Sequence, residues 1–491
     1  MEQYVIAGDL GTSSVKIVAV STSRKLLSST NENYQLYTEG LCAEQDPQQF
    51  WDAICRGTRT LLAGGLDPKN CVGVVFGTQW RGLIPIDHEG NILRRAIIWM
   101  DKRAAKEAEE LNHALGREIF CGMDYWPKLM WFRKHEPELY QQADYILEAN
   151  AFLKWKATGR ICSDNTNCYT RSYHSGRNEF YNEILKAADL DPEKFPPLCE
   201  PSQQIGSLTA QAAQELQLLE GTPVFGGCCD IPAMAIGSGC SQPGDLHAYL
   251  GTSGWLGYVQ SVDPMEAYCP SLNRQYDVGF YAMGISVGPS TDWMLRNFFA
   301  LEKEKLGNNI WNYMDEAMDA IPAGSNRLLV APWFFGGRPP LSSNLARGTF
   351  LNLNSSHTPM HMMKALFEGY CYIMRQNLER IAKRAEATDI KAVTVCGGGS
   401  MNRHWMQAMA DILHLEIRVP EDTTSIGSIG VAYCALVGLG VVENFDSIGK
   451  NMKFARVYTP NSNHFAEYEL LYQQFTKLYD QLAHTFEALN S

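Results

Sequence analysis

Tyr4-Val5-Ile6-Ala7-Gly8-Asp9-Leu10-Gly11-Thr12-Ser13-Ser14-Val15-Lys16-Ile17-Val18-Ala19-Val20 opens the chain. Two apolar, β-type runs flank a short Gly/Thr/Ser turn, which reads as a hairpin whose tip exposes backbone N–H groups. The pattern returns near the middle, where Leu246-His247-Ala248-Tyr249-Leu250 runs into Gly251-Thr252-Ser253-Gly254 and then Trp255-Leu256-Gly257-Tyr258-Val259. Leu10–Ser13 and Leu250–Ser253 are identical and 240 residues apart (250 − 10), nearly half of the 491-residue chain. About one or two such tetrapeptide matches arise by chance at this length, so the shared context and the half-length offset carry the weight. The reading is α/β, with two similar domains spanning 1–245 and 246–491, each presenting one turn to a cleft between them.

The flanking segments agree. Asp46-Pro47 supplies an N-cap and a first-turn proline for a helix through Phe50, Trp51 and Ile54. Cys71–Phe76 reads as a buried strand of the kind found when helices cover a sheet. In the second half, Thr358-Pro359 opens a long helix through Leu366, Phe367, Ile373 and Leu378. Ala392–Cys396 is a strand that ends in Gly397-Gly398-Gly399-Ser400, and a helix follows through Trp405, Met409, Ile412 and Leu413. Strand, glycines and helix in that order let a ligand approach a helix N-terminus.

Charge and composition narrow the function. With 54 Asp plus Glu against 42 Lys plus Arg, the formal charge is −12, which argues against a nucleic-acid surface. The 14 cysteines contain no C-x-x-C pair, so neither a zinc site nor a disulfide scaffold is expected. Met1-Glu2-Gln3-Tyr4 lacks the basic region of a signal peptide. Thr423–Val442 is uncharged but carries Gly427, Gly430, Gly438 and Gly440, which fits a helix buried against a core better than a membrane span. A cytoplasmic protein that binds neither membrane nor nucleic acid is expected.

Several residues invite chemistry, each with a plainer reading beside it. Gly11, Thr12 and Ser13, and again Gly251, Thr252 and Ser253, supply N–H and hydroxyl donors for phosphate, although either turn alone could be a simple hairpin. Asp9 and Asp230 sit at strand ends among glycines. Phosphoryl transfer uses one carboxylate near a metal and one that takes the proton of the attacking hydroxyl, whereas strand-end aspartates also form turns. Cys228 and Cys229 have no nearby histidine and read as packing. Gln79-Trp80-Arg81 and Trp99-Met100-Asp101-Lys102-Arg103 offer amide, aromatic and Arg/Asp groups that suit a polyhydroxylated ligand, or else packed tryptophans beside an ion pair. No P-loop motif occurs. Gly284-Ile285-Ser286-Val287-Gly288 matches G-x-S-x-G and raises a serine hydrolase as an alternative.

Together these segments resemble the FGGY family of carbohydrate kinases, xylulokinase-like, over nearly the whole chain. The resemblance rests on Gly8–Ser13, Trp99-x-Asp101-x-Arg103, Lys128-Leu129-Met130-Trp131, Gly226-Gly227-x-x-Asp230, Leu250–Gly254 and Gly397–Ser400. It implies two ribonuclease-H-like (actin-like ATPase) domains, ATP as phosphate donor and Mg2+. It also implies Asp230 as catalytic base, Asp9 at the metal–phosphate end, and phosphates on both turns. Gly397, Gly398, Gly399 and Asn402 would border the adenosine, while Gln79, Trp80, Arg81, Asp101 and Asp230 would face the sugar. The substrate implied is a ketopentose such as xylulose, with another ketose, a polyol or a sugar acid as alternatives. A homodimer is a family-level expectation, and a catalytically silent sugar or nucleotide sensor is the rival from another class. Xylulokinases usually carry Gln-Met-His-Gly where this chain has Gln79-Trp80-Arg81-Gly82. Their Gly-Glu-Arg is here Gly337-Arg338-Pro339, and Asn352 stands where glycine is usual.

Overall fold

The computed structural model describes residues 2–167, 175–251, 253–261, 276–285, 287–337, 341, 343–384 and 390–490. Thr252, Ser286 and Arg338–Pro340 lie outside the described residues, so the hydrolase motif and part of the second turn have no structural account.

The opening run forms strands β1 (Tyr4–Leu10) and β2 (Ser14–Ser21), paired antiparallel with Leu10 opposite Val15. β3 (Leu26–Asn33), β4 (Cys71–Thr78), β5 (Gln204–Ser207) and β6 (Pro223–Phe225) complete a sheet ordered β5-β6-β4-β1-β2-β3, with the short β7 (Cys228–Cys229) paired to β4. β4 lies parallel to β1 and β6 parallel to β4. Strand alternation explains the unbroken apolar run of β1. Tyr4, Ile6 and Leu10 pack with Phe50, Trp51 and Ile54 of helix α1 (Pro47–Ala63), while Val5 and Ala7 join a second core on the opposite face. Asp46 caps α1, accepting the Gln48 N–H at 2.9 Å. Helices α2 (Tyr125–His135) and α3 (Asp230–Gly237) follow, and α3 starts directly from β7.

The second unit repeats the plan. Its sheet runs β10-β9-β8-β11-β12-β13, formed by β8 (Leu246–Leu250), β9 (Gly254–Ser261), β10 (Tyr276–Ile285), β11 (Ala392–Cys396), β12 (Glu416–Pro420) and β13 (Phe454–Tyr458). β8 and β9 pair antiparallel, and β8 pairs parallel with β11. Helices α4 (Ile310–Met318), α5 (Pro359–Arg384) and α6 (Arg403–Leu413) belong to this unit. Reading outward from the third strand, the first sheet runs 3-2-1-4-6-5 and the second 3-2-1-4-5-6 in chain order, so both share the 3-2-1-4 core of ribonuclease-H-like (actin-like ATPase) domains. The duplicated turn therefore marks a duplicated fold.

The two compact units are not continuous in sequence. Ser425–Lys450 packs with Met1–Gly237, whereas Gly279–Thr424, Ser238–Gln260 and Asn451–Ser491 form the other unit. A single cut after residue 245 would assign Ser425–Lys450 to the second half. Its main element, α7 (Ile426–Gly438), carries no charge, and Val431, Ala432, Ala435 and Leu436 pack on the Val5/Ala7 face of the first sheet. A helix without a polar stripe must be buried. Where α7 crosses α3 the backbones touch. A methyl group at Gly430 would lie 1.8 Å from the Ala233 carbonyl oxygen, and one at Gly237 would lie 2.0 Å from that of Ile426. No helix among the described residues is long and apolar enough to cross a membrane.

Candidate active site

The turn after β1 directs its carbonyls inward. Tyr34 donates its hydroxyl to the carbonyls of Gly11 and Ser14, the latter at 3.0 Å, and the Gln45 amide donates to Thr12 O. Gly11 N–H closes the turn onto Ser14 O at 3.0 Å, while no described group accepts from the N–H groups of Thr12 and Ser13. Trp99 Nε1 donates to Thr12 Oγ1 at 3.0 Å. Carbonyls tied back and amides left open are the polarity a phosphate oxygen requires. The second turn closes one residue tighter, with Gly251 N–H on Ser253 O at 2.9 Å.

Asp9 and Asp230 come together in the first unit although 221 positions (230 − 9) separate them. Asp9 is the next-to-last residue of β1, and Asp230 is the first residue of α3. Asp9 Oδ2 accepts from Ser428 Oγ of α7 at 3.4 Å, and burial pushes its carboxyl up to about 6. Asp230 is pushed up to about 7, chiefly by burial and next by the charge of Asp9, with Arg81 pulling it back. Its Oδ1 is shielded from solvent and has no hydrogen-bond partner. A carboxylate held near neutrality, with a free buried oxygen, has the properties of a general base.

The Gln79-Trp80-Arg81 segment leaves β4 beside these acids. Gln79 N–H donates to Leu10 O at 2.7 Å, and its side-chain NH2 donates to Gln45 Oε1 at 2.6 Å. Gln79 Oε1 is left buried and unpartnered. Trp80 is buried, and the Arg81 guanidinium lies 4.1 Å from its ring centre. Arg81 takes φ +64°, and its guanidinium is ion-paired with Asp124, which also accepts the Cys121 N–H at 2.8 Å. The buried ammonium of Lys128, on α2, donates to the carbonyls of Arg81 (2.6 Å) and Ile98 (3.0 Å) and so fixes this strained corner. Burial, then the charge of Arg81, brings Lys128 down to about 7. Because the charge of Arg81 lowers the pKa of Asp230, Arg81→Ala should move the acid limb of kcat/KM to higher pH. A pH–rate profile of the variant with an unmoved acid limb would disconnect the two residues.

Asp101 occupies a different position from the one expected. It is fully buried, and its two oxygens accept from Ala43 N–H (2.7 Å), Arg103 N–H (3.0 Å) and Arg103 Nε and Nη2 (2.7–3.0 Å). A carboxylate so occupied shapes its loop and has no lone pair to offer a sugar. Cys228 and Cys229 are fully buried, and Cys228 Sγ lies 3.7 Å from Cys434 Sγ, which agrees with packing.

In the second unit, Gly397 follows β11 with φ +88°, and a side chain there would lie 2.5 Å from Leu250 O, so only glycine fits. Gly398 faces open space, and Asn402 caps α6 by accepting the Trp405 N–H at 2.9 Å. Its Nδ2 is buried without a partner. Gly251, Gly398, Gly399 and Asn402 line a cavity of about 630 Å³ together with Trp311 and Asp315, a size that takes a nucleoside-sized ligand. Sequence reasoning missed Tyr34, Gln45, Asp124, Ser428 and Asp315. Each acts through a contact distant in the chain and carries no local motif.

The chain also matches known proteins over its whole length. The N-terminal domain of the FGGY family of carbohydrate kinases matches residues 4–237, and its C-terminal domain matches residues 246–439. The chain is 27% identical to the xylulose kinase of Bacillus subtilis (strain 168) over 100% of its own length and 99% of that protein's. Two solved structures from Lactobacillus acidophilus, a xylulose kinase and a gluconate kinase, each superpose with a TM-score of 0.84 at 21% identity. They are covered completely, over 99% and 100% of this chain respectively. At that identity the two structures speak for the fold.

Proposed function

From the premise that this chain belongs to the FGGY family of carbohydrate kinases, enzymes that phosphorylate sugars with ATP, we propose that it transfers the γ-phosphoryl group of ATP to a ketopentose such as xylulose. Asp230 is the base in this reading. The observation that carries it is the buried, unpartnered Oδ1 of Asp230, held near neutral pKa beside Asp9 and within reach of the charge of Arg81. Asp230 takes the proton of one sugar hydroxyl as that oxygen bonds to the γ-phosphorus. The bond from the γ-phosphorus to the bridging oxygen breaks, and ADP leaves with that oxygen. In the first unit the open amides of Thr12 and Ser13 suit phosphate oxygens, and in the second unit the Gly251–Ser253 turn is the corresponding candidate. Gln79 Oε1 accepts from a sugar hydroxyl, and Trp80 and Arg81 wall the subsite.

Asp9 is the residue suited to Mg2+. It is a half-buried carboxylate with one long hydrogen bond from Ser428, and Mg2+ commonly takes one or two carboxylates and fills its remaining positions with phosphate and water. Among the described residues no group of three acidic, His or Cys ligands forms a closed metal cage. When bound, Mg2+ would neutralise charge on the transferred phosphoryl group. Residues 397–399 and Asn402 hold the nucleoside.

The pairing of Arg81 with Asp124 supports a neutral sugar over a sugar acid. A substrate carboxylate would have to displace Asp124 from the guanidinium, whereas a hydroxyl needs no added charge. ADP release from MgATP, measured across pentuloses, hexuloses, polyols and aldonates, tests the assignment. Xylulose or a close ketose should stimulate most, and an aldonate in first place would overturn the ketose reading. Asp124→Asn, which frees Arg81, should raise the aldonate-to-ketose ratio of kcat/KM about tenfold. An unchanged ratio would remove the ion pair from substrate selection. A chain that binds sugar and ADP but turns over none of the panel would be the silent sensor.

A further inference from the structure

We propose that Asp315 selects the nucleoside of the phosphate donor by accepting a hydrogen bond from it, an inference that rests on reading the second unit's cavity as the nucleotide site. Asp315 lies on α4 and lines that cavity with Trp311, Gly398 and Asn402. Its main-chain carbonyl is engaged, accepting from His404 Nε2 at 2.8 Å and Arg403 Nη2 at 3.1 Å. Its carboxylate is engaged on one oxygen only, with the Arg403 N–H and guanidinium on that side. Oδ1 is shielded from solvent and has no hydrogen-bond partner, and Oδ2 lies 4.0 Å from Arg403 Nε. Arg403 Nη2 pairs with Asp319 Oδ2 at 2.6 Å.

A buried acceptor without a donor costs free energy that a ligand can restore. A carboxylate only accepts, so the complementary ligand atom must carry N–H or O–H. Adenine's exocyclic amine and the ribose hydroxyls meet this requirement, whereas the O6 carbonyl of guanine placed at the same point would be repelled. Asn402 adds the opposite demand. Its Oδ1 is committed to the Trp405 N–H, so its buried Nδ2 seeks an acceptor, which a ring nitrogen or a ribose oxygen supplies. One orphaned acceptor and one orphaned donor on the same cavity discriminate more strongly than apolar shape, because a mismatched nucleoside leaves both unpaired.

The test uses the full chain, as wild type, Asp315→Ala and Asp315→Asn. KM is measured for ATP, GTP, 2′-deoxy-ATP and the triphosphate of purine riboside, which lacks the amine, and ADP binding is followed by calorimetry. Asp315→Ala should raise KM for ATP about tenfold while leaving unchanged the KM of whichever analogue lacks the donor. Insensitivity of the purine riboside compound identifies the amine, and insensitivity of the deoxy compound identifies the ribose. If the amine is the donor, Asp315→Asn, whose amide can also donate, should narrow the ATP-to-GTP preference. Equal losses on all four nucleotides would overturn the inference, since they would mark a structural role. So would ADP binding identical in wild type and Asp315→Ala. A wild-type protein that binds no ADP would instead overturn the nucleotide reading, and the inference with it.

Discussion

Replacing Asp230 with asparagine is expected to lower kcat by roughly 10²–10⁴-fold, the range for losing a positioned general base, while ADP still binds. Asparagine keeps the shape of the side chain but cannot take the hydroxyl proton. The wild-type kcat/KM should fall about tenfold per pH unit below about 7, where Asp230 becomes protonated in the free enzyme. The same substitution carries a stability signature of opposite sense. Burial holds Asp230 above its unfolded pKa, so the folded chain keeps this proton to higher pH than the unfolded chain does. The contribution of Asp230 is therefore fully present below about pH 4 and is lost as pH rises through about 7. Asp230→Asn should then raise the melting temperature of the ligand-free protein at pH 8 and not at pH 4. Turnover within tenfold of wild type would remove Asp230 from its role, and a lower melting temperature at pH 8 would contradict the desolvated carboxylate.

Gly430→Leu should cause the largest loss of stability. The α3–α7 crossing brings main chain against main chain, and even a methyl group would meet the Ala233 carbonyl oxygen at 1.8 Å. Backbone cannot rotate away as a side chain can, so the helices must separate. Overpacking usually costs about 1–3 kcal/mol and sometimes more, and the upper end applies here. At about 3 kcal/mol the melting temperature should drop by roughly 6–12 °C for a domain of this size. Activity should fall as well, because α3 begins at Asp230 and α7 carries Ser428 against Asp9. Calorimetry of the purified variant decides it. A melting point within about 2 °C of wild type, less than one kcal/mol would produce, would mean that the crossing is looser than drawn.

Much of this molecule is legible along the chain because its signals are local. Strand periodicity on Tyr4–Leu10 and Ser14–Ser21, a glycine turn between them, and the Asp46-Pro47 cap depend on neighbours a few residues away. So do the second turn and the glycine run after β11, and with them the α/β class, the duplication and the strand-end aspartates. The tertiary structure decided what depends on distance through space. It sends Ser425–Lys450 back to the first unit, because an uncharged helix must find an apolar face wherever one is open. Asp101 is occupied by Arg103 and Ala43, where the sequence offered it to a substrate. Arg81, which a linear reading leaves as a bare charge, is neutralised by Asp124, 43 positions (124 − 81) further on. The raised carboxyl of Asp230 arises only when burial and Asp9 act on it together. A pKa, an ion pair and an orphaned acceptor are properties of an assembled environment, and no local pattern of residues encodes them.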